Sequence, residues 1–269
     1  MPPAEPAPPA RGPGGRPVVF DANVLVGPVP RRPPGAPEDV AALGRVMDGY
    51  GLDRALVAHS YAKWFHPPAG NARLMAEIGG DDRFTACWIV LPSGTGEVPP
   101  EAMQVAQLLA AGARAARLCP VAHRLSLEPW EMEPLLGALA ERRVPLLLDA
   151  DNVHWSEARP WRFVEWAGRA FPHLPLVLLR EPQANLRTLY PLLDRCPNVI
   201  VETSYFQAHD GIAEVAERWG ARRLVFGTGL PFWDPGLPVT GLAYAGLSPR
   251  DLAAVAGGTL RGLLDGCLV

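Results

Sequence analysis

The sequence predicts an α/β protein built as one (β/α)8 domain, a TIM barrel. Its 269 residues are close to the roughly 250 that such a barrel typically needs. Eight short apolar runs recur along the chain, and helical periodicity follows each of them. Continuously apolar runs are typical of parallel strands that are covered on both faces. An open doubly wound sheet is the alternative, but no glycine-rich nucleotide-binding motif supports it.

Each predicted strand is a short apolar run bounded by turn residues. The strands are predicted at residues 17–21, 54–58, 84–91, 113–118, 144–149, 175–179, 198–202 and 224–226. The helices are predicted at residues 38–50, 71–78, 100–111, 130–142, 160–171, 182–195, 210–219, 239–245, 248–256 and 259–264. The segment that follows strand two, around Tyr61 to His66, lacks clear periodicity and is predicted as a loop.

The ends of the chain and its composition limit the functional classes. Residues 1–16 are rich in Pro, Ala and Gly, which predicts a disordered tail ahead of a barrel at residues 17–269. That tail lacks the apolar core of a secretory signal. The net charge is -3, with both signs mixed along the chain, so we expect no nucleic-acid partner. No apolar run approaches the roughly 18 residues of a membrane span, and we expect no membrane partner.

The cysteines indicate a reducing compartment. Cys87, Cys119, Cys196 and Cys267 are widely spaced and form no CxxC pair. This spacing predicts neither a disulfide framework nor a zinc ribbon. We therefore expect a cytoplasmic protein with buried thiols.

The last predicted strand carries a family resemblance. Residues 226–232 read Phe-Gly-Thr-Gly-Leu-Pro-Phe, which resembles the Phe-Gly-Ser-Asp-x-Pro-Phe turn of the amidohydrolase-2 family. The Phe-Pro-His-Leu phrase at 171–174 and the closing segment at 246–264 also resemble that family. The likeness covers residues 17–264. It implies a TIM barrel and an activity among metal-dependent hydrolases and decarboxylases.

The chain departs from this family at the metal-ligand positions. The resemblance places ligands on strand one, at the ends of strands five and six, and in the turn after strand eight. These five positions hold Asn23, Leu25, Asp149, Arg180 and Gly229. Leu, Arg and Gly cannot ligate a divalent ion, and a guanidinium repels one. We therefore expect no metal and no cofactor; a relocated metal site is the alternative, although no HxH or HExxH spacing supports it.

The same strand ends predict a different site. In a barrel the carboxyl ends of the strands meet in one bowl, where Asp149, Arg180 and Glu202 end strands five, six and seven. Arg180 is predicted to bind a substrate carboxylate or to stabilise an oxyanion through its planar fork. Asp149 or Glu202 is then the general acid or base. The alternative is a purely structural ion triad with Arg180 between the two carboxylates.

Further candidates lie beside these strand ends. His154, in the loop after strand five, is a candidate proton carrier, or else a loop histidine exposed to water. Asp151 faces the same side as Asp149 if the strand continues, or else caps a turn. Arg117 ends strand four as a second anion contact or as a strand-end salt bridge.

The remaining substrate-binding candidates come from strand one and two loops. Asn23, at the end of strand one, and Thr228, in the strand-eight turn, can bond a ligand or satisfy nearby backbone. Tyr61, Lys63 and His66, together with Trp64, form a lid or substrate wall, or else a packed loop.

These observations predict a metal-independent enzyme that acts on a small, carboxylated molecule. The family resemblance implies hydrolysis of an amide, ester or lactone, or a lyase or decarboxylase step. The alternative is a barrel without catalysis that serves as a binding or scaffold protein. Apolar segments between residues 232 and 245 are a candidate interface between copies of the chain, so a homo-oligomer is one alternative.

Overall fold

The computed structural model of the protein describes residues 15–30, 33–151 and 159–269. Eight parallel strands pair in chain order into one sheet. They are β1 (Phe20–Val26), β2 (Arg54–His59), β3 (Phe84–Ile89), β4 (Ala115–Leu118), β5 (Leu146–Leu148), β6 (Leu176–Leu178), β7 (Val199–Glu202) and β8 (Leu224–Val225).

Backbone hydrogen bonds join the first and last strands and close the barrel. Ala22 N donates to Phe226 O at 2.8 Å, and Leu25 N donates to Leu230 O at 2.9 Å. The predicted TIM barrel is therefore confirmed, and the open-sheet alternative is wrong. Closure brings the polar residues of β1 against those that follow β7 and β8.

The helices surround this barrel. They are α1 (Val40–Tyr50), α2 (Ser60–Trp64), α3 (Pro67–Ile78), α4 (Glu101–Ala110), α5 (Pro120–His123), α6 (Pro129–Glu141), α7 (Trp161–Ala170), α8 (Leu186–Arg195), α9 (Gly211–Trp219), α10 (Gly236–Ala243), α11 (Pro249–Ala253) and α12 (Thr259–Asp265). In the described parts of the chain, no helix is long and apolar enough to cross a membrane.

The hydrophobic core has two layers because both faces of the sheet are covered. Leu147, Val177 and Ile200 belong to the layer inside the barrel, while Leu146 and Leu176 belong to the layer between strands and helices. Residues of α12 close the inner layer at the amino end of the barrel. This double burial explains why the strands read as continuously apolar.

Strand one differs from its prediction. It spans Phe20–Val26, not 17–21, and a bulge between Asp21 and Val24 shifts its register against β2. Asn23 therefore lies inside the strand and not at its end. Asp and Asn are disfavoured in strands, which is why the sequence pattern ended the strand too early.

The segment after strand two is also helical and not a loop. α2 begins after His59, whose Nδ1 accepts from Tyr61 N at 3.0 Å, and α3 begins at Pro67 and not at residue 71. A helix of five residues is too short to show a period in sequence.

Two further predictions concern the first residues of the chain and its cysteines. Residues 1–14 lie outside the described part of the chain, while Arg16 pairs with Asp53 at 2.7 Å. The domain boundary at residue 17 stays a prediction. All four cysteines are free; Cys87, Cys119 and Cys196 are buried as predicted, and Cys267 is half-buried.

Candidate active site

Three cationic side chains converge on one carboxylate at the carboxyl end of the barrel. Asp149, directly after β5, accepts at Oδ2 from Lys63 Nζ at 2.9 Å and from Arg117 Nε at 3.0 Å. Its Oδ1 accepts from Arg180 Nη2. Lys63 Nζ also bonds Asp151 Oδ1, which lies 3.6 Å from Arg180 Nη2. We call these five residues the ion cluster.

The ion cluster carries an excess of positive charge. These five residues carry three formal positive charges and two formal negative charges. The side chains of Lys63 and Asp149 are 0% exposed, whereas Arg180 is 6% and Asp151 18% exposed. Solvent therefore reaches the cluster beside Arg180 and Asp151.

Asp149 is held in its ionised form. Burial by itself would raise the pKa of this carboxyl, but Arg117, Arg180 and Lys63 hold that pKa well below its ordinary value. Asp149 is therefore an anion at neutral pH. This suits it to orient the three cations and makes it a poor proton donor.

Helix α2 delivers Lys63 to the cluster. Gly70 of α3 lies so close to α2 that an added Cβ would stand 2.1 Å from Ala62 N. This backbone contact fixes α2 against α3, and Lys63 Nζ lies over the Trp64 ring at 5.3 Å. Lys63 is also the only lysine in the chain. The sequence pattern predicts a loop at Lys63, although a single lysine in 269 residues is a usable signal.

A second group of polar side chains lies at the seam where β1 meets β7 and β8. Glu202 Oε2 accepts from Asn23 Nδ2 at 2.8 Å, from Arg180 N at 3.1 Å and from Ser204 Oγ at 2.9 Å. Burial raises the pKa of Glu202 to about 7, although the bonds from Ser204 and Asn23 oppose that rise. Glu202 can therefore exchange a proton near neutral pH.

Asp21 is the second carboxyl at this seam. Its Oδ1 accepts from Asn23 N and from Thr228 N, both at 2.9 Å, and its Oδ2 accepts from Thr228 Oγ1. Burial raises the pKa of Asp21 to about 6, and its charge helps to raise the pKa of Glu202. Sequence reasoning did not select Asp21, although an acidic residue in an apolar strand is a usable signal. We call Asp21 and Glu202 the carboxyl pair.

The glycines of the strand-eight turn make room for this pair. A Cβ at Gly227 would stand 2.2 Å from Glu202 Oε1. Gly229 has φ +74, and a Cβ there would stand 2.4 Å from Trp233 Cδ1. Only glycine fits either position without displacing a neighbour.

The predicted triad is only partly observed. The Arg180 guanidinium contacts Asp149, but Glu202 receives the backbone N–H of Arg180 and not its guanidinium. The described contacts of Asp149, Arg180 and Glu202 therefore do not form the ion triad of the alternative prediction. Arg180 has φ 57 and turns its side chain to one carboxylate and its amide to the other.

The other predicted residues divide between the two groups. Arg117 makes the buried salt bridge to Asp149, which was its alternative role. Asp151 shares Lys63 with Asp149 although β5 ends at Leu148 and Asp151 has φ 44, so the strand does not continue. Asn23 and Thr228 bond the carboxyl pair.

Two predicted residues lie elsewhere, and one is not described. His66 is exposed and caps α3 by accepting from Ala69 N at 3.2 Å. Tyr61 stacks on Phe65 at 5.1 Å and under Arg73 at 3.8 Å. These contacts form a helix cap and a packed surface, and the substrate wall stays a prediction. His154 lies outside the described residues, so its role stays a prediction.

The protein-family model described as amidohydrolase matches residues 31–264. The chain belongs to the amidohydrolase family. The resemblance predicted from the strand-eight turn is thereby confirmed. None of the curated proteins matches the chain.

Solved structures of low identity share the amidohydrolase fold. An uncharacterised TIM-barrel protein from Bordetella bronchiseptica is 14% identical over 92% of this chain and 98% of that one, with a TM-score of 0.72. A dihydroxybenzoic acid decarboxylase from a Polaromonas species, with bound manganese and 2-nitroresorcinol, is 13% identical over 92% and 97%, with a TM-score of 0.73. A 5-carboxyvanillate decarboxylase from Novosphingobium aromaticivorans, also with bound manganese, is 12% identical over 96% and 100%, with a TM-score of 0.73.

The residues of this amidohydrolase do not fit the metal that the family implies. Leu25 packs in the apolar interior, Arg180 places a guanidinium on Asp149, and Gly229 has no side chain. The two remaining oxygen donors are already engaged, Asn23 by Glu202 and Asp149 by three cations. Across residues 15–30, 33–151 and 159–269, no group of three or more His, Cys, Asp or Glu side chains could hold a metal ion.

Proposed function

We propose that this amidohydrolase is a metal-independent enzyme that acts on a small carboxylated molecule. The observation that carries the proposal is the convergence of Lys63, Arg117 and Arg180 at the carboxyl ends of the strands. Positive charge in a dry, preorganised bowl binds an anion and stabilises developing negative charge. The reaction is hydrolysis of an amide, ester or lactone, or a lyase or decarboxylase step.

Arg180 is the anion anchor in this proposal. It is the cation of the cluster that solvent reaches, and its planar fork matches a carboxylate. Asp149 stays ionised and holds the Arg117 and Lys63 side chains in place. A substrate carboxylate binds beside Arg180, where solvent reaches the cluster.

Glu202 is the general acid or base. Its pKa of about 7 gives it both protonation states at neutral pH, which is the most effective range for proton transfer. It lies next to the anchor because it accepts the backbone N–H of Arg180. His154 is a second proton carrier in the proposal, since it follows Asp151 closely in sequence.

Aromatic side chains beside the anchor support a planar substrate. Phe232 has its ring 5.9 Å from the Arg180 guanidinium carbon, and Trp64 meets Phe232 edge-on at 6.2 Å. Planar rings pack favourably against such a wall. The decarboxylases of similar fold act on dihydroxybenzoic acid and carboxyvanillate, which are planar carboxylates. We extend that substrate class to this chain.

A binding or scaffold protein without catalysis is the second candidate. The observation that favours it is the burial of Lys63, Asp149 and Glu202, none of which has exposed side-chain surface. An ion cluster that fills its own space needs no substrate. In that case, replacing an arginine of the ion cluster unfolds the protein, and wild type binds no small carboxylate.

Calorimetric titration of metal-stripped protein with benzoate tests the proposal. We expect benzoate to bind wild type and to lose at least tenfold in affinity in Arg180→Met, because a charge-assisted pair is removed. Arg195→Met is the control, since Arg195 forms an exposed pair with Glu165. An unfolded Arg180→Met with no benzoate binding by wild type favours the scaffold. Stoichiometric zinc or manganese in protein purified without chelator contradicts metal independence.

A further inference from the structure

The backbone of Arg180 has an unusual conformation. Its φ of 57 lies in the left-handed region, which residues with a long side chain rarely adopt. This conformation turns the guanidinium toward Asp149 while the amide of the same residue faces Glu202. Such a conformation persists only where the surroundings hold it. The contacts that hold Arg180 therefore decide where the proposed anion anchor lies.

One buried arginine holds the carbonyl side of this residue. Arg159 Nη2 donates to Arg180 O at 2.7 Å and to Leu179 O at 3.3 Å. Glu202 holds the opposite side by accepting from Arg180 N at 3.1 Å. The two peptide units that flank Arg180 are thus bonded in opposite directions, and both bonds involve an ionisable side chain.

The side chain of Arg159 is held in place by a salt bridge. Its guanidinium pairs with Glu181 Oε1 at 3.0 Å, and Glu181 Oε2 accepts from Asn185 Nδ2 at 2.9 Å. Arg159 precedes α7, whereas Glu181 and Asn185 lie between β6 and α8. The guanidinium therefore ties the connection that follows β5 to the one that follows β6.

We propose that Arg159 is a positioning residue for Arg180. This inference rests on the proposed function, in which Arg180 is the anion anchor. By bonding the carbonyls of Leu179 and Arg180, Arg159 stabilises the left-handed backbone and so aims the anchor at the mouth of the ion cluster. Without it, these carbonyls lose their charged donor, and Arg180 relaxes to a right-handed conformation that withdraws its guanidinium from Asp149.

A matched control exists at the other end of the barrel. Arg223 also donates to main-chain carbonyls, those of Val199 at 2.6 Å and Cys196 at 2.8 Å, but lies before β8, far from the strand ends that carry the cluster. Arg223→Met therefore measures what a buried arginine of this kind contributes to folding alone.

The experiment combines crystal structures with benzoate titration of Arg159→Met, Arg159→Lys and Arg223→Met. We expect Arg159→Met to move the φ of Arg180 out of the left-handed region. We also expect it to lower the affinity for benzoate about tenfold, the loss expected for a charge-assisted contact. Arg223→Met lowers stability and leaves benzoate affinity unchanged. Arg159→Lys, which keeps one charged donor, loses less affinity than Arg159→Met and decides the question if the methionine variant does not fold.

A double variant separates positioning from general destabilisation. If Arg159 acts through Arg180, Arg159→Met causes no further loss of benzoate affinity in the Arg180→Met background. Additive losses overturn the inference, as does an Arg180 that keeps its conformation and its contact with Asp149 in both Arg159 variants. Failure of wild type to bind benzoate counts against the proposed function, and the conformation of Arg180 in the crystal structures still decides the role of Arg159.

Discussion

Lys63 Nζ lies 2.9 Å from Asp149 Oδ2, and neither side chain has any exposed surface. The two residues are 86 positions apart in sequence. Their contact joins helix α2 to the end of β5 and forms the centre of the ion cluster. Breaking a buried pair by removing one partner costs about 3–5 kcal/mol, because the other charge stays buried.

Lys63→Met is expected to destabilise the protein by about 1–3 kcal/mol, below that range, since Arg117 and Arg180 still compensate the charge of Asp149. Urea denaturation measures the loss. Arg195→Met, which removes an exposed pair, should change stability by less than about 0.5 kcal/mol. Equal losses of stability in the two variants would show that the buried Lys63–Asp149 contact stabilises the protein no more than an exposed ion pair.

The only lysine of the chain also provides a spectroscopic test. Protein labelled with 15N at lysine Nζ gives one side-chain ammonium signal, from Lys63. We expect that signal to persist in slow exchange, since the ammonium is buried and bonded to Asp149 and Asp151. Addition of benzoate should shift it in wild type but not in Arg180→Met. A signal that exchanges as fast as free lysine contradicts the buried cluster.

Stability should fall as the pH rises toward neutrality. Burial raises the pKa of Glu202 from 4.5 to about 7, so the folded state keeps a proton that the unfolded chain has released. The stabilising contribution is complete below about pH 4.5 and is lost as the pH rises through 7. Its size is on the order of 3 kcal/mol.

Glu202→Gln tests this dependence by urea denaturation at pH 5 and pH 8. The neutral amide cannot release a proton, so the loss of stability between these pH values should shrink to the smaller part caused by Asp21, whose pKa is about 6. Glu133→Gln, on an exposed position, should behave as wild type. An unchanged pH slope in Glu202→Gln contradicts the raised pKa.

Gly227→Ala is expected to cost about 1–3 kcal/mol, the usual penalty of overpacking, because the new Cβ meets Glu202 Oε1. Gly241→Ala is the matched control. It lies in α10 with open space around its Cβ, so alanine should stabilise by about 0.5–1 kcal/mol. Thermal unfolding of both variants measures the difference; a tolerated Gly227→Ala would show that Glu202 can move freely.

Gly229→Asp replaces the glycine by the carboxylate of the family pattern and should still bind no manganese. Its backbone at φ +74 and the nearby Trp233 ring make the substitution unfavourable by about 2–4 kcal/mol. Lys63 and Arg180 also keep their positive charges in the bowl. Calorimetric titration with manganese checks this, and tight binding would show that one residue separates this site from a metal centre.

Several parts of the site followed from local pattern. Asp149, Arg180 and Glu202 were placed correctly at neighbouring strand ends because the apolar runs that precede them are unambiguous. An acidic residue in a strand resembles a strand end, so the pattern does not single out Asp21. Five residues show no period, so the pattern predicts a loop at α2. Tyr61 and His66 were grouped with Lys63 by proximity in sequence, but a helical turn points them to other surfaces.

The order of apolar runs and helical patterns was sufficient to specify the barrel, because burial on both faces leaves a mark on each strand. The loss of the metal ligands could likewise be read residue by residue. The partners of the charged groups could not be predicted from the sequence. Asn23 meets Glu202 across 179 residues, and Lys63 meets Asp149 across 86. Barrel closure and the backbone conformation of Arg180 decide these contacts, since a charge in sequence shows that a partner is needed but not which one it finds.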